Sequence, residues 1–212
     1  MAKTLGVARD ERAQLADLFI EVGPNAPTLC EGWRTRDLAA HLVLRERRLD
    51  AAPGIALRAL AGYTQRVQDR YAALPWLELV EMVRTGPSRL SPYAIPAVDE
   101  RVNTTEYFVH HEDVRRAREG WRPRPEDARR DRALWQTIRL AGRLVYRRSP
   151  VGVLLRWPGG GETMVRQGRG IVTVTGQPGE LVLHAFGRAE AEVEFTGDPR
   201  AVEVVRGMRL GL

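Results

Sequence analysis

Hydrophobic positions recur at helical spacing through residues 8–149 of the chain. This periodicity predicts long helices over four ranges, 8–22, 35–50, 98–118 and 126–149. Two less regular helical patterns lie between them, over 52–74 and 75–86. Thr35 is the predicted N-cap of the second helix. Segments rich in proline, glycine and serine separate the helices and predict loops.

The pattern changes after Pro150. The runs VGVLLRW, ETMVRQ and GIVTVTG alternate or are rich in β-branched residues, and glycine and proline separate them, so they predict strands. Periodicity alone leaves GELVLHAFGR open between strand and helix. DPRAVEVVRGM predicts a last helix with Asp198 as N-cap. We therefore expect an α+β chain, with a helical domain over 1–148 and a small α+β domain over 149–212.

Composition indicates a globular protein with a substantial core. Hydrophobic residues make up 43% of the 212 positions and charged residues 28%. The longest apolar runs fall far short of the roughly 20 residues that a membrane-spanning helix needs, and the first residues do not have the pattern of a signal peptide. Cys30 is the only cysteine, so no internal disulfide is possible. A reducing cytoplasm, with no membrane partner, is the expected location.

The net charge of +6 raises the question of nucleic-acid binding. Of the 33 basic residues all but Lys3 are arginine, a bias that a GC-rich genome explains. Most arginines alternate with acidic residues, as on solvated helix faces, and are not gathered on one face or tail. No nucleic-acid partner is therefore expected, although a basic nucleic-acid binder stays open as the weaker alternative.

The segment TEYFVHHEDVRRA carries the most specific chemical signal. A helix turns about 100° per residue, so Glu106 and His110 lie on one face, whereas His111 points about 140° away from Glu106. One carboxylate and one imidazole suit zinc or a similar divalent ion. His41, on the apolar stripe of the second helix, is the candidate third ligand. Such a set leaves one position open, which is the catalytic pattern. The alternative is that these histidines are hydrogen-bonded core residues.

Two segments, TLCEGWRTRDLAAHL and EYFVHHEDVRRA, resemble the family of mycothiol-dependent maleylpyruvate isomerases. The resemblance implies a DinB-like up-down four-helix bundle whose metal ligands are His41, Glu106 and His110. The matching positions are Cys30, Gly32, Trp33, Asp37, Leu38, His41, Glu106, His110 and Asp113.

The C-terminal segment QPGELVLHAFGRAEAEVEFTGDPRAVEVV is also similar to that family, whose last domain is a small, sterol-carrier-like α+β unit. The resemblance implies that residues 179–187 are helical. It also makes Arg188 the candidate catalytic residue, because a guanidinium group can clamp a substrate carboxylate through two hydrogen bonds. In a chain so rich in arginine, an ordinary surface role for Arg188 is an equal alternative.

The chemistry that the resemblance implies is thiol activation by a divalent metal, with zinc preferred. Mycothiol would be the thiol co-substrate, and a small electrophile would be the other partner. Addition to a cis-enoate, bond rotation and elimination would isomerise it, whereas irreversible transfer of the thiol is the other outcome. We expect a monomer or a homodimer.

Four further residues have two interpretations each. Asp37 and Asp113 are candidate acceptors for the outer N–H of a ligand histidine. Asp37 fits capping of its own helix slightly better, and Asp113 also fits a surface pair with Arg116. Cys30 fits a small buried packing residue better than a nucleophile, and Trp33 fits a packing anchor better than a residue that stacks on a ligand. A non-catalytic metal-binding bundle, acting as a sensor or a stress-related binding protein, is the alternative to an enzyme.

Overall fold

In the computed structural model of the chain, residues 6–88 and 91–211 are described. They form two compact units, Met1–Arg122 and Pro123–Leu212. The described residues contain eight α-helices and one four-stranded sheet, so the predicted mixed α+β class is confirmed.

The first unit is helical. Helix α1 packs against α5 and α4, and α2 packs against α3 and α4. Fully buried side chains from α1, α2, α4 and α5, such as Phe19, Leu42, Leu79 and Tyr107, form one continuous core. The helices are α1 (Val7–Val22), α2 (Thr35–Arg47), α3 (Ala61–Ala72), α4 (Trp76–Thr85) and α5 (Pro96–Arg116).

The start of α2 differs from the prediction by one residue. Arg34, and not Thr35, is the N-cap, and the Asp37 carboxylate accepts the backbone N–H of Arg34 at 2.9 Å. The Thr35 hydroxyl instead donates to the carbonyl of Gly23 at 2.6 Å. A carboxylate in the first turn satisfies a free N–H group and favours the helix dipole, so Asp37 takes the capping role.

The third predicted helix is broken at its start. Residues Ala52–Ile55 and Arg58–Leu60 form two short 3₁₀ turns, and regular helix begins only at Ala61. A side chain on Gly54 would lie 2.6 Å from the Leu60 carbonyl oxygen, so this folded-back turn requires glycine there.

Among the helices of the described residues, none combines the length and the apolar character needed to cross a membrane.

The second unit places helices around a small sheet. The strands run in the order β2-β1-β3-β4, with β1 antiparallel to β2 and parallel to β3, and β3 antiparallel to β4. Helix α6 packs against α7 and β2. The elements are α6 (Ala128–Val145), β1 (Val153–Trp157), β2 (Gly161–Arg166), β3 (Val172–Thr175), α7 (Pro178–Ala185), β4 (Glu194–Thr196) and α8 (Pro199–Arg206).

The boundary between the units lies at 122/123, whereas the change in composition placed it at 148/149. The reason is α6, whose apolar face covers the C-terminal sheet. Gly142 lies so close to β2 that a side chain there would come within 2.7 Å of Val165 Cγ1. The buried face of α6 includes Leu134 and Ile138, as predicted, but Ala141 and Val145 are only half-buried.

Most predictions for the second unit are confirmed. The three predicted strands form, and the ambiguous segment is helical over Pro178–Ala185. The Asp198 carboxylate caps α8 by accepting two backbone N–H groups, at 3.0 and 3.1 Å. Strand β4 was not predicted, because its three residues are too short for periodicity to register.

His184 on α7 gives this unit a specific pH dependence. Its ring lies 5.4 Å from that of Phe195, and in the described part of the chain its buried Nε2 has no hydrogen-bond partner. Burial lowers the pKa of His184 from 6.5 to about 4. Between these values the unfolded chain binds a proton that the folded chain does not, so stability is lost as pH falls from 6.5 towards 4.

We expect His184→Phe to reduce this loss. Its stability relative to wild type should rise by about 2 kcal/mol between pH 7 and pH 4.5. Urea unfolding at the two pH values measures this double difference, from which other titrating groups cancel. If the stabilities of wild type and His184→Phe depend on pH in the same way, His184 is not the source of this loss.

Candidate metal centre

Helices α2 and α5 bring the three predicted ligands together. His41 lies in the middle of α2, and Glu106 and His110 are one turn apart on α5. The Glu106 Oε1 atom is 3.5 Å from His41 Nε2 and 3.3 Å from His110 Nε2. One ligand atom from each residue lies within 4.8 Å of the others. The side chains are largely buried, with exposed fractions of 8% for His41, 21% for Glu106 and 12% for His110.

These separations fit a metal ion. Zinc bonds to nitrogen and oxygen of about 2.0–2.1 Å place neighbouring atoms of a tetrahedron about 3.3–3.4 Å apart. The two distances to Glu106 Oε1, 3.3 and 3.5 Å, match this spacing. They are longer than the usual N–H···O hydrogen bond of about 2.7–3.2 Å. Two imidazoles and a carboxylate are also the donor types that zinc accepts, so the residues present fit the ion.

Asp113 fixes the orientation of His110. Its fully buried carboxylate lies 2.9 Å from His110 Nδ1, three residues earlier on α5. A hydrogen on Nδ1 donated to this carboxylate leaves the Nε2 lone pair directed towards Glu106, as a metal ligand requires. Arg116, the other partner considered for Asp113, contacts Glu112 at 2.6 Å.

The pKa values of the three groups are shifted in different directions. Burial lowers the pKa of His41. Burial also opposes ionisation of Glu106, but the ring nitrogens of His110 and His41 that face its carboxylate outweigh burial and hold the pKa of Glu106 well below its usual value. For His110, burial is outweighed by hydrogen bonding to Asp113, Cys30 and Glu106, which raises its pKa well above the usual value.

Cys30, Asp113 and His110 form a second group of potential ligands. The Cys30 Sγ atom is 3.8 Å from His110 Nδ1 and donates to Asp113 Oδ2 at 3.2 Å. Around zinc, sulfur and oxygen ligands would stand about 3.5 Å apart, and nitrogen and oxygen about 3.3 Å apart. The observed 3.2 and 2.9 Å are shorter and correspond to hydrogen bonds. The predicted packing role of Cys30 is confirmed, since the residue packs against the core of the first unit, but it is half-buried and not buried.

Trp33 lies at the edge of the cluster. Its ring centroid is 5.1 Å from that of His41, with the planes inclined by 52°. Trp33 also packs against the core of the first unit, as an anchor should. The Asp37 carboxylate, by contrast, caps α2 at the N-cap backbone, as described above.

His111 faces α1 and not the cluster. Its Nδ1 is 2.9 Å from Glu11 Oε2, and both side chains are buried. Within the described ranges, neither ligand group contains His111. The helical angle between adjacent residues thus separates the two histidines into different environments.

Arg188 lies in the second unit, directly after α7. Its guanidinium donates to the carbonyl of Phe186 at 2.9 Å. Its role as a carboxylate clamp stays a prediction.

Arg45 is a site residue that sequence reasoning missed. It stands one turn after His41, and its Nε atom is 3.3 Å from Glu106 Oε1, the oxygen that both histidines face. The only signal in the sequence is its place on the same helical stripe as His41.

No family model, no curated protein and no solved structure matches this chain.

We expect the purified chain to bind about one zinc ion, which can be measured by elemental analysis after dialysis. His110→Gln should weaken zinc binding by at least about 100-fold, because it removes one of three ligands. His111→Gln is the matched control on the same helix, and a glutamine there can still donate to Glu11. Retention of zinc by His110→Gln together with its loss from His111→Gln would reverse the assignment of the two faces.

A second pair of variants separates the two ligand groups. Cys30→Ala should keep the zinc, whereas His41→Gln should lose it, because the distances around Asp113 are those of hydrogen bonds. Competition with a chromogenic chelator gives the affinities. The opposite result would place the ion between Cys30, His110 and Asp113.

Proposed function

We propose that the chain is a metal-dependent enzyme of the mycothiol-dependent maleylpyruvate isomerase type, built on a DinB-like bundle. It would activate a thiol for addition to, or transfer onto, a small electrophile. The observation that supports this most directly is the spacing of His41 and His110 around a single oxygen of Glu106, at 3.5 and 3.3 Å. Three ligands from two helices leave a tetrahedral ion one position for a substrate.

Each residue of the cluster has a task in this proposal. His41, Glu106 and His110 hold the ion, and Asp113 keeps His110 in the tautomer that presents Nε2. The Trp33 ring, which lies 5.1 Å from that of His41, would limit the access of water on that side of the cluster. A divalent ion held there, with zinc preferred, would supply the positive charge that lowers the pKa of a thiol towards neutral pH.

The substrate side of the proposal rests on the resemblance. Mycothiol is the proposed thiol, and Arg188 is the proposed clamp for a carboxylate on the electrophile. A guanidinium group suits this role because it pairs with both carboxylate oxygens.

Thermal stabilisation by thiols tests the proposal. Mycothiol should raise the melting temperature of the zinc-loaded chain more than glutathione does at equal concentration, because a ligand of the folded state stabilises it by about 2.7 kcal/mol at 100 times its Kd. His110→Gln should abolish the difference between the two thiols, whereas His111→Gln should retain it.

The same experiment separates an enzyme from a metal-binding module. If the zinc-loaded chain responds to no thiol, the non-catalytic bundle becomes the better explanation. A mycothiol response should be followed by an assay for thiol-dependent loss of maleylpyruvate, read from its ultraviolet absorbance.

A further inference from the structure

Arg45 brings a positive charge to the ligand carboxylate. Its Nε is 3.3 Å from Glu106 Oε1, and only 13% of the side chain is exposed. An arginine this far buried normally pairs with a carboxylate, and here the carboxylate is one of the three ligands. Arg45 therefore belongs to the centre although it cannot bind a cation itself.

The Arg45 guanidinium is held in place from two sides. One terminal nitrogen donates to the side-chain oxygen of Asn103, and the group lies 5.6 Å from the centre of the Tyr93 ring. The orientation of the Asn103 amide is fixed by its other end. Its nitrogen donates to Glu46 at 2.8 Å and to Asp99 at 2.7 Å, so the oxygen has to face Arg45.

Helix α1 completes this network. Arg12 donates to Glu46 and to Asp99, both at 2.7 Å, and lies 4.6 Å from the centre of the Tyr107 ring. The two carboxylates are thus already paired with Arg12 and Asn103. Arg45 is consequently left to pair with Glu106, and the network directs it there.

The consequence is a charge imbalance at the centre. Arg45 cancels the charge of Glu106, and both histidines are neutral when they bind a metal. The Asp113 carboxylate beyond His110 adds one further negative charge, so a divalent ion in this set would still keep a net positive charge. An ion bonded to Oε1 at about 2.1 Å would also lie within about 5.4 Å of Arg45 Nε, since that atom is 3.3 Å from Oε1.

We propose that Arg45 is a positioning residue that makes the open metal position selective for anions over neutral ligands. The inference deepens the proposed function and rests on it. The class of ligand favoured is a small monoanion, such as a thiolate or a carboxylate.

The test uses the full chain loaded with Co²⁺, whose visible absorption reports on its ligands. Thiocyanate serves as the anionic probe and imidazole as the neutral one. The variants are Arg45→Gln, Arg45→Lys and the control Arg47→Gln. Arg47 lies on the same helix but donates to Met82, Thr85 and Gly86 at the end of α4, at 2.8–3.1 Å.

Arg45→Gln should weaken thiocyanate binding about tenfold, through the loss of a nearby positive charge, and change imidazole binding less than about twofold. Arg45→Lys should recover most of the thiocyanate affinity, and Arg47→Gln should match wild type. Tyr93→Leu, at a half-exposed position, should show a smaller but equally selective loss. If Arg45→Gln does not fold, the thiocyanate and imidazole affinities of Tyr93→Leu test the inference in its place.

Two results would overturn the inference about Arg45 but would leave the metal centre in place. One is equal thiocyanate affinity in wild type and Arg45→Gln, or in wild type and Tyr93→Leu if only that variant folds. The other is a parallel loss of both probes, which would indicate a purely structural role. Failure of the wild-type chain to bind Co²⁺ would overturn the metal centre and the inference together.

Discussion

The candidate metal centre depends on one largely buried carboxylate, that of Glu106. Glu106 is 21% exposed, and an ionised group removed from water is costly unless positive partners surround it. Its Oε1 is faced by nitrogen atoms of His41 and Arg45 on α2 and of His110 on α5. Since two of the three come from the other helix, the alignment of α2 with α5 decides whether the cluster exists.

That alignment is maintained by a second set of buried polar contacts. Arg12 on α1 pairs with Glu46 on α2 and with Asp99 on α5, and thereby connects the three helices. Further along α5, His111 pairs with Glu11 on α1. Buried ion pairs contribute little net stability, but a helix that is rotated or shifted leaves them unpaired, which is strongly unfavourable. Rotation of α5 by one residue would separate His111 from Glu11 on α1, and Glu106 from His41 and Arg45 on α2.

The sequence predicted those parts of the site that depend on helical period alone. The spacing of Glu106 and His110 and the divergence of His111 follow from about 100° per residue. Contacts made by loops and by long side chains cannot be predicted from the helical period. Cys30 reaches His110 from the loop before α2, and Arg45 is one arginine in a chain with many. Helical period also cannot show which surface an apolar helix face covers. The sequence therefore did not place α6, and with it the boundary between the two units, in the C-terminal unit.

In the proposed centre the ligands are adjusted in opposite directions by their outer contacts. The Asp113 carboxylate accepts from His110 Nδ1 and increases electron donation by that imidazole. Arg45 withdraws charge from Glu106 and makes it the weaker donor. The histidines would therefore bind the ion more strongly, and the carboxylate would neutralise less of its charge than it would alone. In this proposal the three ligands select the metal, whereas its reactivity would depend on Asp113 and Arg45, which lie about one turn beyond His110 and His41 on the same helices.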